Sequence, residues 1–279
     1  MSVAVSCNLS DGVIMGVDSA VTVPASGGGV AKVYEDAEKL HQLCNRPIGV
    51  ANFGLGSLGG RSIGSYIWEF TLSPPGKEIS EKTYDLEDVA RKLCTFFMKK
   101  YKEILVPAIE KSQKKKFDQI PLKNLPGFGL VIGGFSYKKY LSEVWLVYLP
   151  GKTRSGEAKI LRNRGEFGSN WIAMFEPIRR YFKGYDEALI NELMSYCESL
   201  RKSPFSKVEK KKIQEIIARY EYRVPFAAMP IQKGVELTRF LIDLVINHHA
   251  FATGAPVVGG RARIGKVTYG KEIFEILDN

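Results

Sequence analysis

The stretch SVAVSCNLSDGVIMGVDSAVT, residues 2–22, decides the fold of this chain. Over residues 3–9 apolar side chains alternate with small or polar ones, which is the pattern of a β-strand whose two faces differ. The dipeptide DG at 11–12 is a strong hairpin signal, and an apolar strand over 13–17 follows it. The sequence therefore predicts an N-terminal hairpin that returns Asp18 to the start of the first strand.

The residue after Met1 determines what the mature chain would begin with. Ser2 is small enough for the initiator Met to be removed, which would leave Ser2 as a free N-terminus. A serine hydroxyl is a weak nucleophile until a base takes its proton. An N-terminal serine carries such a base, because its α-amino group has a typical pKa of about 7.7–8.0. Asp18 beside Ser2 therefore marks either a turn next to a frayed terminus or a catalytic site.

Length and composition bound the class of protein. With 279 residues and 45% apolar content the chain can bury a large core, and with no visible linker we expect one domain over 1–279. It contains no run of 18 apolar residues and no signal peptide, so we expect a cytoplasmic protein without a membrane segment. The four cysteines are scattered without a CxxC pair, which indicates neither a disulfide framework nor a zinc site.

The formal net charge of +10 is concentrated in two lysine-rich runs, residues 111–117 and 207–214. Such runs can bind the phosphate backbone of a nucleic acid. Both runs, however, fall in predicted helices with acidic and apolar neighbours, so we interpret them as solvated helix faces. A basic nucleic-acid-binding protein stays as a second alternative function.

Two further patterns are too weak to indicate a cofactor. GLGSLG at 54–59 matches a dinucleotide-binding loop, but the acidic strand end expected about twenty residues later is replaced by the loop TLSPPGKEIS. His248 and His249 are adjacent and point about 100° apart on a helix, so they cannot easily share a metal. We expect neither a cofactor nor a metal.

The remaining elements alternate between groups of strands and groups of helices. The predicted strands are residues 47–53, 127–137, 143–150, 157–163 and 261–269. The predicted helices are a segment near 61–70, a long helix capped by Asp85 that Pro107 kinks or ends, and segments near 170–182, 186–201, 206–223 and 232–249. This order predicts an α+β fold in which helices pack on sheets.

Residues 2–60 resemble the proteasome β-subunit family of N-terminal nucleophile hydrolases, and the chain is similar to the bacterial proteasome-like proteins of that family. The matching features are Ser2, SDGVIMGVDSAVT (10–22), Lys39 followed by Leu40, and ANFG (51–54). The interval from Ser2 to Asp18 matches that of the family without a gap, whereas Lys39 and Gly54 require short insertions.

The resemblance implies a role for each matching residue. Ser2 would be the nucleophile of a serine-type endopeptidase, Lys39 would favour its alkoxide, and Asp18 would orient Lys39. The backbone N–H of Gly54 would stabilise the oxyanion of the attacked amide. Thr22 would offer its backbone to an extended peptide substrate.

The resemblance also implies a fold and partners. The fold would be a four-layer αββα sandwich with an added helical element near 200–231. The partners would be a peptide or protein substrate and further copies of the chain in a closed homo-oligomeric ring, with no membrane.

Several features leave alternatives open. Lys32 competes with Lys39 for the lysine role, and we prefer Lys39 because the residues after it continue the strand pattern of the family. Pro126-Gly127 and the segment YFKGYDEA (181–188) replace residues that help set the proton state of the terminal amine in the family. A catalytically inactive structural subunit of the same fold is therefore the main alternative to a hydrolase.

Intact mass tests the proposed terminus. Because the strand pattern starts at Val3, we expect loss of Met1 with no longer segment removed. Mass spectrometry of the folded, purified protein measures this, and a retained Met1 would exclude the catalytic interpretation of Ser2.

Overall fold

The structure is a computed structural model that describes residues 2–24, 30–81, 83–253 and 257–277. Its strands are β1 Val3–Leu9, β2 Gly12–Asp18, β3 Val21–Pro24, β4 Val30–Tyr34, β5 Leu40–Gln42, β6 Ile48–Gly54, β7 Ser57–Leu58, β8 Arg61–Ser62, β9 Phe128–Gly134, β10 Glu143–Leu149, β11 Glu157–Arg162, β12 Gly168–Ala173, β13 Ala262–Thr268 and β14 Glu275–Leu277. Its α-helices are α1 Ile63–Leu72, α2 Pro74–Glu81, α3 Leu86–Gln113, α4 Glu176–Lys183, α5 Glu187–Arg201, α6 Lys207–Ile217 and α7 Ile231–Phe251.

This mixed α/β fold is built on two five-stranded antiparallel sheets. The first sheet has the strand order β12-β1-β2-β13-β14, and the second has the order β11-β10-β9-β6-β5. Side chains of both sheets form one apolar cluster, in which Met15 of the first sheet packs with Val131 and Leu146 of the second. Helix α7 contacts β1, β2 and β13, whereas α3 contacts β10 and β11.

The predicted N-terminal hairpin is confirmed. Ala4 lies opposite Val17 and Leu9 lies opposite Gly12, so Ser10 and Asp11 form the turn. The turn thus begins one residue earlier than the DG signal suggests. A Cβ atom at Gly12 would lie 2.1 Å from the carbonyl oxygen of Val267 in β13, so only glycine allows this close approach between strands.

The alternation in β1 separates two buried faces rather than a buried face and a solvated one. Every residue of β1 is buried. The Thr238 hydroxyl of α7 donates to Cys7 Sγ at 3.3 Å, whereas Ala4 belongs to the cluster between the sheets. Larger apolar side chains therefore face the helix, and small or polar side chains face the second sheet.

Three predicted elements differ from the observed ones. Helix α3 continues through Pro107 to Gln113, because Tyr101 and Ile109 on either side of the proline are buried in the core, and their packing offsets the lost backbone hydrogen bond. Residues 168–173, placed partly in a helix by the sequence prediction, form β12 instead, because they pair along the whole edge of β1. Pro74 and Pro75 end α1, but they also begin α2, since proline suits the first turn of a helix.

The chain divides into two compact units. The first comprises Met1–Met174 together with Phe226–Asn279, and the second comprises Phe175–Pro225. The second unit contains α4, α5 and α6, and α6 begins with the predicted capping box of Ser206 and Glu209. The helical element expected near 200–231 therefore overlaps a longer segment that starts at residue 175, and a single domain over 1–279 stays a prediction.

Phe274 provides a test of the packing between the sheets. Its side chain is 2% exposed, and Cβ atoms at Gly49 and Gly265 would lie 2.5 and 2.3 Å from its ring, so the ring fills the space of two missing side chains. We expect Phe274→Ala to lower the free energy of unfolding by about 3–5 kcal/mol.

The matched control is Phe251, whose side chain is 89% exposed at the end of α7. Phe251→Ala should change the free energy of unfolding by no more than about 0.5 kcal/mol. Urea denaturation measures both variants, and equal losses would contradict the structural role of Phe274.

Candidate active site

A buried contact joins Ser2, Asp18 and Lys39 at one end of the two sheets. Lys39 Nζ donates to Ser2 Oγ at 3.1 Å and to Asp18 Oδ1 and Oδ2 at 3.1 and 3.2 Å. The three residues are 2%, 0% and 3% exposed, respectively. The structure thus brings together three residues that are 16, 21 and 37 positions apart in the sequence.

The hairpin places Ser2 and Asp18 beside each other. Asp18 is the last residue of β2, and its Oδ1 accepts from the Val3 backbone N–H at 3.1 Å. The carbonyl of Ser2 accepts from the Met174 N–H at 3.0 Å, next to the pair of Val3 and Ala173. Hydrogen bonds to neighbours on both sides therefore hold the backbone around Ser2.

Lys39 comes from the second sheet. It precedes β5, and its carbonyl accepts from the Asn52 N–H of β6 at 2.8 Å. Leu40, the next residue, lies opposite Ala51 and belongs to the cluster between the sheets. The Lys39 side chain therefore reaches from the start of β5, in the second sheet, to the end of β2 in the first.

The charge of Asp18 is balanced by several donors. Besides Lys39 and Val3, the carboxylate accepts from the N–H groups of Ala20 at 3.3 Å and Gly259 at 3.5 Å. Burial raises the pKa of the Asp18 carboxyl, and Lys39 opposes that shift. Burial likewise lowers the pKa of the Lys39 ammonium, and Asp18 opposes that shift. A lysine with a lowered pKa exchanges protons more readily near neutral pH than an exposed one.

The other two predicted site residues lie in β6 and β3. Gly54 ends β6 opposite Phe128 with a φ of 86°, two residues beyond Asn52, or about 7 Å along the strand. Thr22 lies in β3 opposite Val33. Its hydroxyl is buried and has no hydrogen-bond partner among the described residues.

Lys32, the competing lysine, lies elsewhere. It is an exposed residue of β4, and its Nζ lies 4.7 Å from the centre of the Tyr34 ring. Of the two candidates, Lys39 is the lysine that contacts Ser2.

A cavity of about 660 Å³ opens beside Lys39. Its lining includes His41, Asn52, Ser57, Ser62 and Trp68. His41 Nε2 lies 3.3 Å from Asn52 Oδ1, and this contact requires a proton on Nε2 because Oδ1 can only accept. No local pattern in the sequence indicated this lining, because its residues come from several separate elements.

Metal ligands, membrane-spanning helices and Asp186 are the remaining features that the sequence raised. Among the described residues no group of three His, Cys, Asp or Glu side chains could hold a metal. Within the same ranges no helix is long and apolar enough to cross a membrane. Asp186, in the segment that departs from the family pattern, caps α5 by accepting from the Ala188 N–H at 2.8 Å.

Comparison with known proteins shows likeness of fold. No family model matches the chain, and no curated protein matches it. A Gly-1 mutant of Anbu from Hyphomicrobium sp. strain MC1 is similar with a TM-score of 0.54 and 10% identity, over 100% of this chain and 85% of that chain. Anbu from Yersinia bercovieri, an ancestral beta-subunit, is similar with a TM-score of 0.50 and 12% identity, over 99% of this chain and 87% of that chain.

These findings correct one prediction. The chain was identified from residues 2–60 as a bacterial proteasome-like member of the proteasome β-subunit family, and that identification is wrong as a statement of membership. No family model or curated protein supports it, and identities of 10% and 12% to solved structures show a shared fold alone. Short motifs in a hairpin can match a family pattern while the rest of the sequence has no measurable relation to it.

Proposed function

We propose that this protein is an amide hydrolase, of endopeptidase type, that uses the Ser2 hydroxyl as its nucleophile after removal of Met1. The observation that supports the proposal most directly is the 3.1 Å contact between Lys39 Nζ and Ser2 Oγ at a buried position. A buried ammonium beside a serine hydroxyl has an evident chemical use, because it favours the alkoxide that attacks a carbonyl.

The proposed reaction has two stages. Ser2 Oγ attacks the carbonyl carbon of the amide while its proton passes to the Ser2 α-amine, and the carbonyl oxygen becomes an oxyanion. When this intermediate collapses, the C–N bond breaks and the α-amine gives the proton to the departing nitrogen, which leaves an ester on Ser2. Water then attacks the ester with the α-amine again as base, so the acid is released and the serine is restored.

The other residues have supporting roles in this proposal. Lys39 stabilises the alkoxide, and Asp18 holds Lys39 in place through both carboxylate oxygens. The Gly54 N–H is the proposed oxyanion donor, and the free edge of β3 at Thr22 is the proposed contact for the backbone of a peptide. The cavity beside Lys39 would then receive a substrate side chain.

The likeness to Anbu, one example of which is an ancestral beta-subunit, supports a proposed architecture and assembly. The proposed order of layers is helix, sheet, sheet, helix, with α7 on the first sheet and α3 on the second. The proposed assembly is a closed homo-oligomer. In its favour, α5 exposes the apolar side chains of Leu189, Leu193, Tyr196 and Leu200, which repeat at intervals of four, three and four residues.

Covalent labelling tests the proposed nucleophile. A peptide α′,β′-epoxyketone can bond both to a hydroxyl and to an amine on adjacent carbons. An N-terminal serine presents both groups, whereas an internal serine does not. We expect an adduct on Ser2, absent in Ser2→Ala, that forms faster as the pH rises through the pKa of the amine, since the neutral amine is the base. Peptide mapping by mass spectrometry locates the adduct. Met-free protein that stays unlabelled over long incubation at about pH 8 would favour the inactive structural subunit.

Lysine variants separate catalysis from folding in the same assay. Lys39→Met should slow labelling by about 10²–10³, whereas Lys32→Met should leave the rate nearly unchanged. Lys39→Met alone leaves the Asp18 charge buried and unpaired, so the double variant Asp18→Asn/Lys39→Met serves as a second probe with no unpaired charge. A double variant that folds and is labelled at the normal rate would rule out the role of Lys39.

Light scattering tests the assembly. We expect a mass that is a multiple of 31.2 kDa at micromolar concentration, reduced by Leu193→Glu because a buried charge without a partner opposes association. A mass of 31.2 kDa for the unmodified protein would contradict the closed homo-oligomer.

A further inference from the structure

Helix α7 lies antiparallel to β1 on the outer face of the first sheet. A Cβ atom at Gly234, near the start of the helix, would lie 2.6 Å from Leu9 Cδ1 at the end of β1. One turn later the Thr238 hydroxyl donates to Cys7 Sγ at 3.3 Å. As the helix advances toward its C-terminal end, it therefore approaches the start of β1.

Helix and strand dimensions show where the helix arrives. His249 follows Thr238 by eleven residues, which span about 16 Å along a helix. Ser2 precedes Cys7 by five residues, which span about 16 Å along a strand. Because Thr238 contacts Cys7 directly, these lengths place His249 at about the level of Ser2 along the strand direction.

The phase of the helix turns His249 toward the sheet. Thr238, Ile242 and Val245 are fully buried, and Ile242 Cδ1 would lie 2.5 Å from a Cβ atom at Gly16 of β2. His249 follows Ile242 by seven residues, so it continues the same face of the helix. Consistent with this phase, His249 is partly buried, whereas His248 is exposed and lines a shallow cavity of about 360 Å³ with Leu244 and Phe251.

The charged groups around this end of α7 are few. Asp18 at the end of β2 interacts electrostatically with His249, and Lys39 is bonded to Asp18. Arg261, just before β13, pairs with Asp36 at 3.1 Å, and on α7 itself the only adjacent titratable group in the described chain is His248. Burial lowers the pKa of His249, His248 and the terminal ammonium of the chain act in the same direction, and Asp18 opposes them. His249 is therefore a neutral imidazole near neutral pH, able to accept a hydrogen bond.

We propose that His249 is a positioning residue for the Ser2 amine: its neutral imidazole accepts a hydrogen bond from that amine and holds the amine lone pair toward Oγ. This inference rests on the proposed function, because the amine exists only after Met1 is removed.

The contact makes both the pKa of the Ser2 amine and the pH dependence of the labelling rate depend on His249. An acceptor beside the amine favours its protonated form, so loss of the imidazole lowers the pKa of the amine. Protonation of His249 removes the acceptor, so in acid the labelling rate depends on two deprotonations, that of the amine and that of His249. The labelling rate of the unmodified protein should then fall below neutral pH with a slope steeper than one in log rate against pH.

The experiment compares the mature protein with His249→Leu, His249→Gln and the control His248→Gln. The pKa of the α-amine is read from NMR of protein labelled with ¹⁵N-serine, and the labelling rate is read with the epoxyketone from pH 5 to 9. His249→Leu should lower the pKa of the amine by about 0.5 or more and slow labelling at pH 7 by about tenfold or more, with a slope of about one. His249→Gln, which keeps an acceptor but cannot titrate, should restore much of the rate and keep the slope of one. His248→Gln should match the unmodified protein.

Each outcome decides a separate claim. An amine pKa that is unchanged in His249→Leu overturns the contact, whether or not Ser2 is labelled. An amine pKa that falls in His249→Leu but not in His248→Gln supports the contact, even if no protein is labelled and the proposed hydrolase fails. A retained Met1 overturns both. Thermal melting checks that the variants are folded. If His249→Leu does not fold, the slope of log labelling rate against pH in His249→Gln decides whether His249 contributes.

Discussion

The ion pair between Asp18 and Lys39 is the interaction on which this end of the molecule depends. Each group gives up water to be there, and a buried pair seldom recovers that cost from mutual attraction alone. Here the carboxylate also accepts from three backbone N–H groups. Val3 and Ala20 belong to the N-terminal segment that contains Asp18, whereas Gly259 is distant in the sequence. Backbone donors as well as the lysine therefore stabilise the buried carboxylate.

The pair also constrains the register of the first sheet. Because successive side chains in a strand point to opposite faces, a slip of one residue between β1 and β2 would turn Asp18 away from Lys39. Gly12 limits such a slip, since no larger residue fits against the carbonyl of Val267. The tight fit of Gly12 at one end of the hairpin thereby helps to keep Asp18 in contact with Lys39 at the other end.

Local sequence signals predicted the parts of this structure that local forces decide. The hairpin and the cap of α3 by Asp85 follow from patterns within a few residues. The preference for Lys39 over Lys32 came instead from the resemblance of the residues after Lys39 to a family pattern, and Lys39 is the one of the two that contacts Ser2. The sequence could not show that residues 168–173 pair with β1, because that pairing joins segments more than 150 residues apart. The position of His249 follows from the direction of α7 across the first sheet, which local sequence patterns do not show either.

The position of Gly259 has a consequence for how the molecule comes into being. Its N–H completes the shell around Asp18, and β13, which follows it, is the second neighbour of β2. A ribosome needs on the order of tens of seconds to make a chain of this length, and for most of that time the last part of this shell has not been synthesised. Until those residues emerge, the carboxylate has no complete set of donors and water can reach the lysine. The growing chain therefore carries Ser2 beside an incomplete set of contacts, which is completed only after Gly259 has been synthesised.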